Sequence, residues 1–252
     1  MADSLADERS QWPVEFDVGS FRVHSDFEFA ERSALAGELK SIDHEVRGLL
    51  ALGESKARVH IVLFRSNAEY RRYMRAYFPQ LPERRAMFLQ DRGPGMLFTH
   101  WHPDVVTDLR HEMTHALLNQ NGQALPLWLD EGIAEYFEVP KAERFGGNPY
   151  ALSIRETLKA GDVQSMQDLS GRTQVREFAD RDYRDSWAWV HFALHRNEST
   201  RRVLQECLVS QTSTPGNSAT LRFERALRKI FPNLEREFAR HFQSLELQAK
   251  ER

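Results

Sequence analysis

An α+β fold is the architecture this sequence predicts: a β-rich N-terminal lobe with two helices over residues 14–102, then a mostly helical lobe over 103–252. Three observations predict it. Short alternating or continuous apolar stretches bounded by glycine and proline are confined to the first hundred residues. From Pro103 onward nearly every stretch carries helical spacing instead. The 252 residues are 41% hydrophobic, near the usual apolar share once the 13 glycines are added, and that is enough to bury a full core as one large domain or two small lobes.

Residues 1–13 are polar and acidic, end at Pro13 and read as a flexible leader. FRVHSDF (21–27) alternates like a half-buried strand, and helical spacing follows from Glu31 to Leu52, ending at Gly53. ARVHIVLF (57–64) predicts a more buried strand. Asn67 can cap a helix running to Phe78, which Pro79 and Pro82 prevent from continuing. RAMFLQD (85–91) and GMLFTHW (95–101) flank Arg92-Gly93-Pro94 and predict a hairpin. Helices are predicted over 104–120, 126–138, 150–160, 182–196, 199–210, 217–231 and 233–249, with loops at 146–149 and 212–217.

Composition excludes several classes of function. The 34 basic and 37 acidic side chains leave a net charge of -3 with no block dominated by lysine or arginine, so no nucleic-acid partner is expected. The single cysteine, Cys207, permits neither an intramolecular disulfide nor a Cys-based zinc ribbon, and any metal must be held by His and carboxylates. The longest apolar runs fall far short of the ~18 residues of a membrane span. The opening MADSLADERSQ has no basic n-region and no apolar h-region, so the chain reads as cytoplasmic as written, or as secreted or periplasmic if a signal has been removed.

The chemistry concentrates in two segments. His111-Glu112-Met113-Thr114-His115 is an H-E-x-x-H pattern. On a helix His111 and His115 lie ~40° apart around the axis and can meet one ion, with Asp108 and Glu112 on the same side. Val105, Val106, Leu109, Met113, Ala116 and Leu117 occupy the opposite arc as a core face. Asp104 stands where an N-cap belongs and Asn121-Gly122 where a left-handed stop belongs. With 10 His in the chain, the pattern alone also fits a solvated helix face, so its context decides.

That context is Trp128-Leu129-Asp130-Glu131-Gly132-Ile133-Ala134-Glu135-Tyr136, after Pro126 at a helix start. A catalytic zinc takes three protein ligands and keeps an open position, and Glu131 is the best third ligand. Gly132 would let this helix approach the metal closely. Glu135, one turn on, suits an outer role in which it accepts the second N–H of a ligating His. His191 and His195 are also four apart, but no Glu follows His191, which favours a packed or surface role. His100 and His102 read as part of a strand end.

HEMTHALL followed by PLWLDEGIAEYFE resembles the gluzincin zinc metallopeptidases, the WLxEGxAxY form being similar to the peptidase MA group and, more distantly, to the zinc aminopeptidases. The resemblance covers residues 107–138 clearly. It implies a thermolysin-like core shared by both lobes as one catalytic unit, with His111, His115 and Glu131 as Zn2+ ligands and Glu112 as general base. Tyr183-Arg184-Asp185-Ser186-Trp187-Ala188 is similar to the Y-x-x-G-A-like setting of the aminopeptidase oxyanion tyrosine, with Ser186 in place of the Gly, and this implies Tyr183 as oxyanion donor. Tyr136, Tyr150, His191 and His195 stand next in line for that role. Gly93-Pro94-Gly95-Met96-Leu97 lacks the glutamate of the aminopeptidase G-x-M-E-N segment, so aminopeptidase specificity does not carry over.

The sequence thus predicts a zinc-dependent hydrolase that cleaves a peptide or protein substrate, Glu112 taking a proton from water as it attacks the carbonyl. Gly95 to His100 is a candidate edge for pairing with an extended substrate. The alternatives are a catalytically inactive zinc-binding domain that recognises a partner through the same cleft, which has no use for Glu112, and a metal-free helical scaffold.

Overall fold

The computed structural model describes residues 12–55, 57–90, 93–120, 125–209 and 217–246. It divides the chain into two compact units, one of residues 1–49 and 53–121, the other of 50–52 and 122–252. The expected boundary at 102–103 and this division differ by one helix. The α+β reading holds at the coarse level, with a mixed sheet in the N-terminal part and a mostly helical C-terminal part.

In the first unit, β1 (Val14–Val18) and β2 (Phe21–Ser25) form an antiparallel hairpin. Gly19 turns it with φ +55°, and a Cβ there would collide with the Asp43 carboxylate, which accepts hydrogen bonds from the Ser20 backbone N–H and hydroxyl. Helix α1 (Arg32–Leu50) buries Leu35, Leu39, Ile42 and Val46 at helical spacing and carries the chain to β3 (Val59–Phe64), parallel to β2. Helix α2 (Asn67–Tyr77) follows. Its N-cap is Ser66, whose hydroxyl accepts from the Glu69 N–H, so the cap lies one residue before the expected Asn67.

Strands β4 (Ala86–Leu89) and β5 (Gly95–His100) make the predicted antiparallel pair, and the sheet order is β1-β2-β3-β5-β4. This corrects one expectation. The segment 95–100 is no edge, because β5 is hydrogen-bonded to β3 on one side and β4 on the other, and the free edge on that side belongs to β4. Val62, Phe64, Tyr70 and Phe98 form a core under α2, flanked by Trp12, Tyr73 and Phe78. Helix α3 (Val105–Asn119) packs on β4 and β5 through an apolar face that includes Leu109 and Met113. That contact is why α3 groups with the sheet rather than with the helices that follow it. The expected stop at Asn121-Gly122 lies outside the described residues.

The second unit contains α4 (Leu127–Glu138), α5 (Tyr150–Ala160), a short α6 (Met166–Ser170), a 3-10 turn (Val175–Glu177), α7 (Asp180–His195), α8 (Glu198–Val209), α9 (Asn217–Ile230) and α10 (Leu234–Ser244). Among its described residues no strand occurs. Helix α4 is buried almost throughout and packs on α7. A Cβ on Gly132 would sit 2.5 Å from the Ser186 carbonyl oxygen and 3.0 Å from Val190, so this glycine permits close approach of two helices. The expected role of Gly132, closeness to a metal, gives way to this packing role. The Trp128 indole N–H donates to Thr220 on α9 at 3.0 Å, which satisfies a fully buried polar group. No helix among the described residues is long and apolar enough to cross a membrane.

Candidate metal centre

In the first unit, α3 carries His111 and His115 one turn apart, with ring centroids at 4.8 Å and Nε2 atoms at 3.1 Å. Two imidazoles at zinc distances of ~2.0–2.1 Å around a tetrahedral ion would hold their nitrogens ~3.4 Å apart, so rotation by a few tenths of an ångström adapts this pair to such an ion. Glu112 lies between them in sequence and is buried, unlike the solvated polar face that helix periodicity alone permits. Its Oε2 accepts the backbone N–H of Phe88 on edge strand β4 at 2.7 Å. That contact fixes the carboxylate and is not visible in any motif, because it is made by main chain.

A second polar set holds the start of α3 to the start of β4. Arg85 donates to Asp108 at 2.8 Å and to Asp104 at 3.3 Å. His102 Nδ1 accepts the Asp104 N–H at 3.2 Å, which leaves its proton on Nε2, 3.2 Å from the other Asp108 oxygen. Asp104 thus occupies the N-cap position but spends its carboxylate on Arg85 and makes no side-chain cap bond. Burial pushes the Asp108 carboxyl above the usual range, with Arg85 and His102 opposing. Tyr70 stacks on His100 at 5.5 Å, and burial, then the Glu112 charge, pushes its phenol up to about 12.

In the second unit, Glu131 and Glu135 lie one turn apart on α4, 4% and 8% exposed. Pro126, expected as the first helical residue, is the N-cap, and the helix starts one position later at Leu127. The Tyr150 phenol at the start of α5 hydrogen-bonds Glu135; burial first, and then the Glu135 and Glu138 charges, raise the phenol's pKa. Tyr150, a reserve oxyanion donor on the sequence reading, is thus bonded to Glu135. Tyr183 lies in the first turn of α7, half-buried, with Phe178 edge-on at 5.1 Å.

The sequence reading makes Glu131, in the second unit, the carboxylate partner of His111 and His115 in the first. Two imidazoles and a carboxylate fit zinc, and Glu131 and Glu135 therefore need to be told apart by experiment. His191 is fully buried and His195 half-buried in the helical unit, which agrees with the packed role expected of the pair. No protein-family model and no curated protein matches the chain.

Proposed function

We propose that this chain is a zinc-dependent hydrolase of gluzincin type that cleaves peptide bonds, with His111, His115 and Glu131 as ligands. The observation that carries the reading is the meeting of two imidazoles on one helix around a glutamate held in place by an edge strand. A metal-free scaffold gains nothing from burying Glu112 between two imidazoles and against a backbone N–H.

A bound zinc supplies Lewis-acid chemistry and makes water a nucleophile near neutral pH. Glu112, with Oε2 tied to Phe88, uses Oε1 to take the proton of the attacking water and later delivers it to the leaving amine. Glu135 orients a ligating His by accepting its second ring N–H, and Tyr150 holds Glu135. Tyr183 donates to the developing oxyanion. Strand β4, as the open edge of the sheet beside Glu112, offers main-chain pairing to an extended peptide.

The test is a proteome-derived peptide library incubated with the zinc-loaded chain and with Glu112→Gln. Cleavage by the wild type that falls by several orders of magnitude in Glu112→Gln, at equal zinc content, supports the reading. Equal cleavage by both removes Glu112 from the mechanism, and no cleavage by either removes the hydrolase assignment.

A further inference from the structure

Three side chains from three adjacent strands form a line across the sheet of the first unit. Glu15 on β1 lies opposite His24 on β2, and its Oε1 accepts His24 Nδ1–H at 2.9 Å. The other nitrogen of that ring, Nε2, faces Nδ1 of His60 on β3 at 2.8 Å, the two rings being nearly parallel with centroids at 5.0 Å. His60 is in register with Arg22, so the two histidines are diagonal neighbours on one face of parallel strands.

The carboxylate decides the tautomer. With the His24 proton held on Nδ1 by Glu15, the Nε2 lone pair points at His60. Arg22, and then His24, keep the Glu15 carboxyl below its usual range, so it stays charged and holds that proton in place. His60 is itself held below the ordinary imidazole value, chiefly by burial and then by His24. The 2.8 Å contact is then a hydrogen bond from His60 Nδ1–H to His24 Nε2, and with its proton moved to Nε2 the His60 ring turns a second lone pair toward the same point.

We propose that His24 and His60 form a second metal site, separate from the pair on α3, for one divalent transition ion of the kind imidazole prefers, Zn2+ among them, with water completing its coordination. A histidine whose far nitrogen donates to a carboxylate is the arrangement that metal-binding imidazoles adopt, because the carboxylate fixes the ring and raises its basicity. The separation of 2.8 Å needs to open to ~3.4 Å around a tetrahedral ion, a small ring rotation on a half-buried face. Charge permits it. Arg22 is paired with Glu15 at 2.9 Å and Arg58 with Asp17 at 2.7 Å, so the two guanidinium groups beside the site are both neutralised. An all-imidazole protein donor set excludes Mg2+ and Ca2+, which take oxygen. With two protein ligands, the site binds more weakly than a three-ligand site, and its ion bridges β2 and β3.

The test is Zn2+ titration of the full chain by calorimetry, with ring-nitrogen NMR of the histidines. Wild type is compared with His60→Ala, with His60→Gln as a variant that preserves more of the packing, and with Glu15→Gln. The wild type takes up one Zn2+ equivalent more than either His60 variant, with shifts at the His24 and His60 ring nitrogens, and Glu15→Gln weakens that equivalent by ~10- to 100-fold. Equal stoichiometry in wild type and both His60 variants overturns the proposal. The difference is independent of the α3 pair, because a His111→Ala/His115→Ala chain should still bind the His24 and His60 equivalent, whatever becomes of the hydrolase reading.

Discussion

Glu112 and Glu135 are both buried carboxylates on helices, yet their partners assign them different work. Phe88 gives Glu112 one backbone N–H, whereas Glu135 has the Tyr150 phenol. If Glu135 only orients a ligand, Glu135→Gln should weaken zinc affinity by roughly 10- to 100-fold and leave hydrolysis measurable in excess zinc. Loss as complete as in Glu131→Ala would make Glu135 a ligand rather than an orienting group. Tyr183 is separable too. An oxyanion donor acts only in the transition state, so Tyr183→Phe should keep zinc and fold, lower kcat by ~10²-fold and move KM little. Unchanged kcat would leave Tyr183 as a packing partner of Phe178. Residue identity made the two motifs legible in the sequence, because metal-ligand spacing on a helix is a local property. The Phe88 and Tyr150 contacts were not legible: one is made by backbone, the other joins residues fifteen apart across a turn.

Most helices of the second unit lie within two residues of their predicted spans, because their apolar period is strong and proline and glycine punctuate it, whereas α10, expected to 249, ends at Ser244. The short helix 166–170 and strand β1 were missed. VEFDV does alternate, but five residues after a proline carry little signal alone, and the pairing with β2 is what defines them. Periodicity also could not say what α7 and α10 bury together. His191 Nε2–H donates to the Phe145 carbonyl at 2.8 Å, so its Nδ1 accepts from His241 Nε2–H at 2.9 Å, while His195 bonds the Tyr136 phenol at 2.8 Å. Burial holds all three below the ordinary imidazole value, with His195 and His241 at about 4. Arg201 adds to the effect at His195; His195 and Arg196 add to it at His241, while Glu237 is paired to Arg196. The unfolded chain therefore binds more protons than the folded one between about pH 6.5 and 4, and stability must fall as pH drops through that window. The limit is roughly 3 kcal/mol for each of His195 and His241. Urea unfolding at pH 7, 6 and 5 should show the decline, and His195→Gln/His241→Gln should flatten it. A wild-type stability unchanged from pH 7 to 5 would contradict the neutral cluster.

Across the whole chain, fold class was more legible than its division. The change from strand to helix at Pro103 suggested a boundary there, but α3 packs on β4 and β5 and groups with the sheet, since surface buried between elements decides membership and helix type does not. The central proposal is that His111, His115 and Glu131 together hold one zinc. Zinc content of the full chain, purified without added metal and dialysed against a weak chelator to strip loosely held ions, tests that claim most directly. About one zinc per chain should remain in the wild type and in Glu112→Gln, and His111→Ala, His115→Ala and Glu131→Ala should each lose it while keeping their helical circular dichroism. Full zinc retention in any of those three variants, or a wild type that holds none, would contradict the assignment.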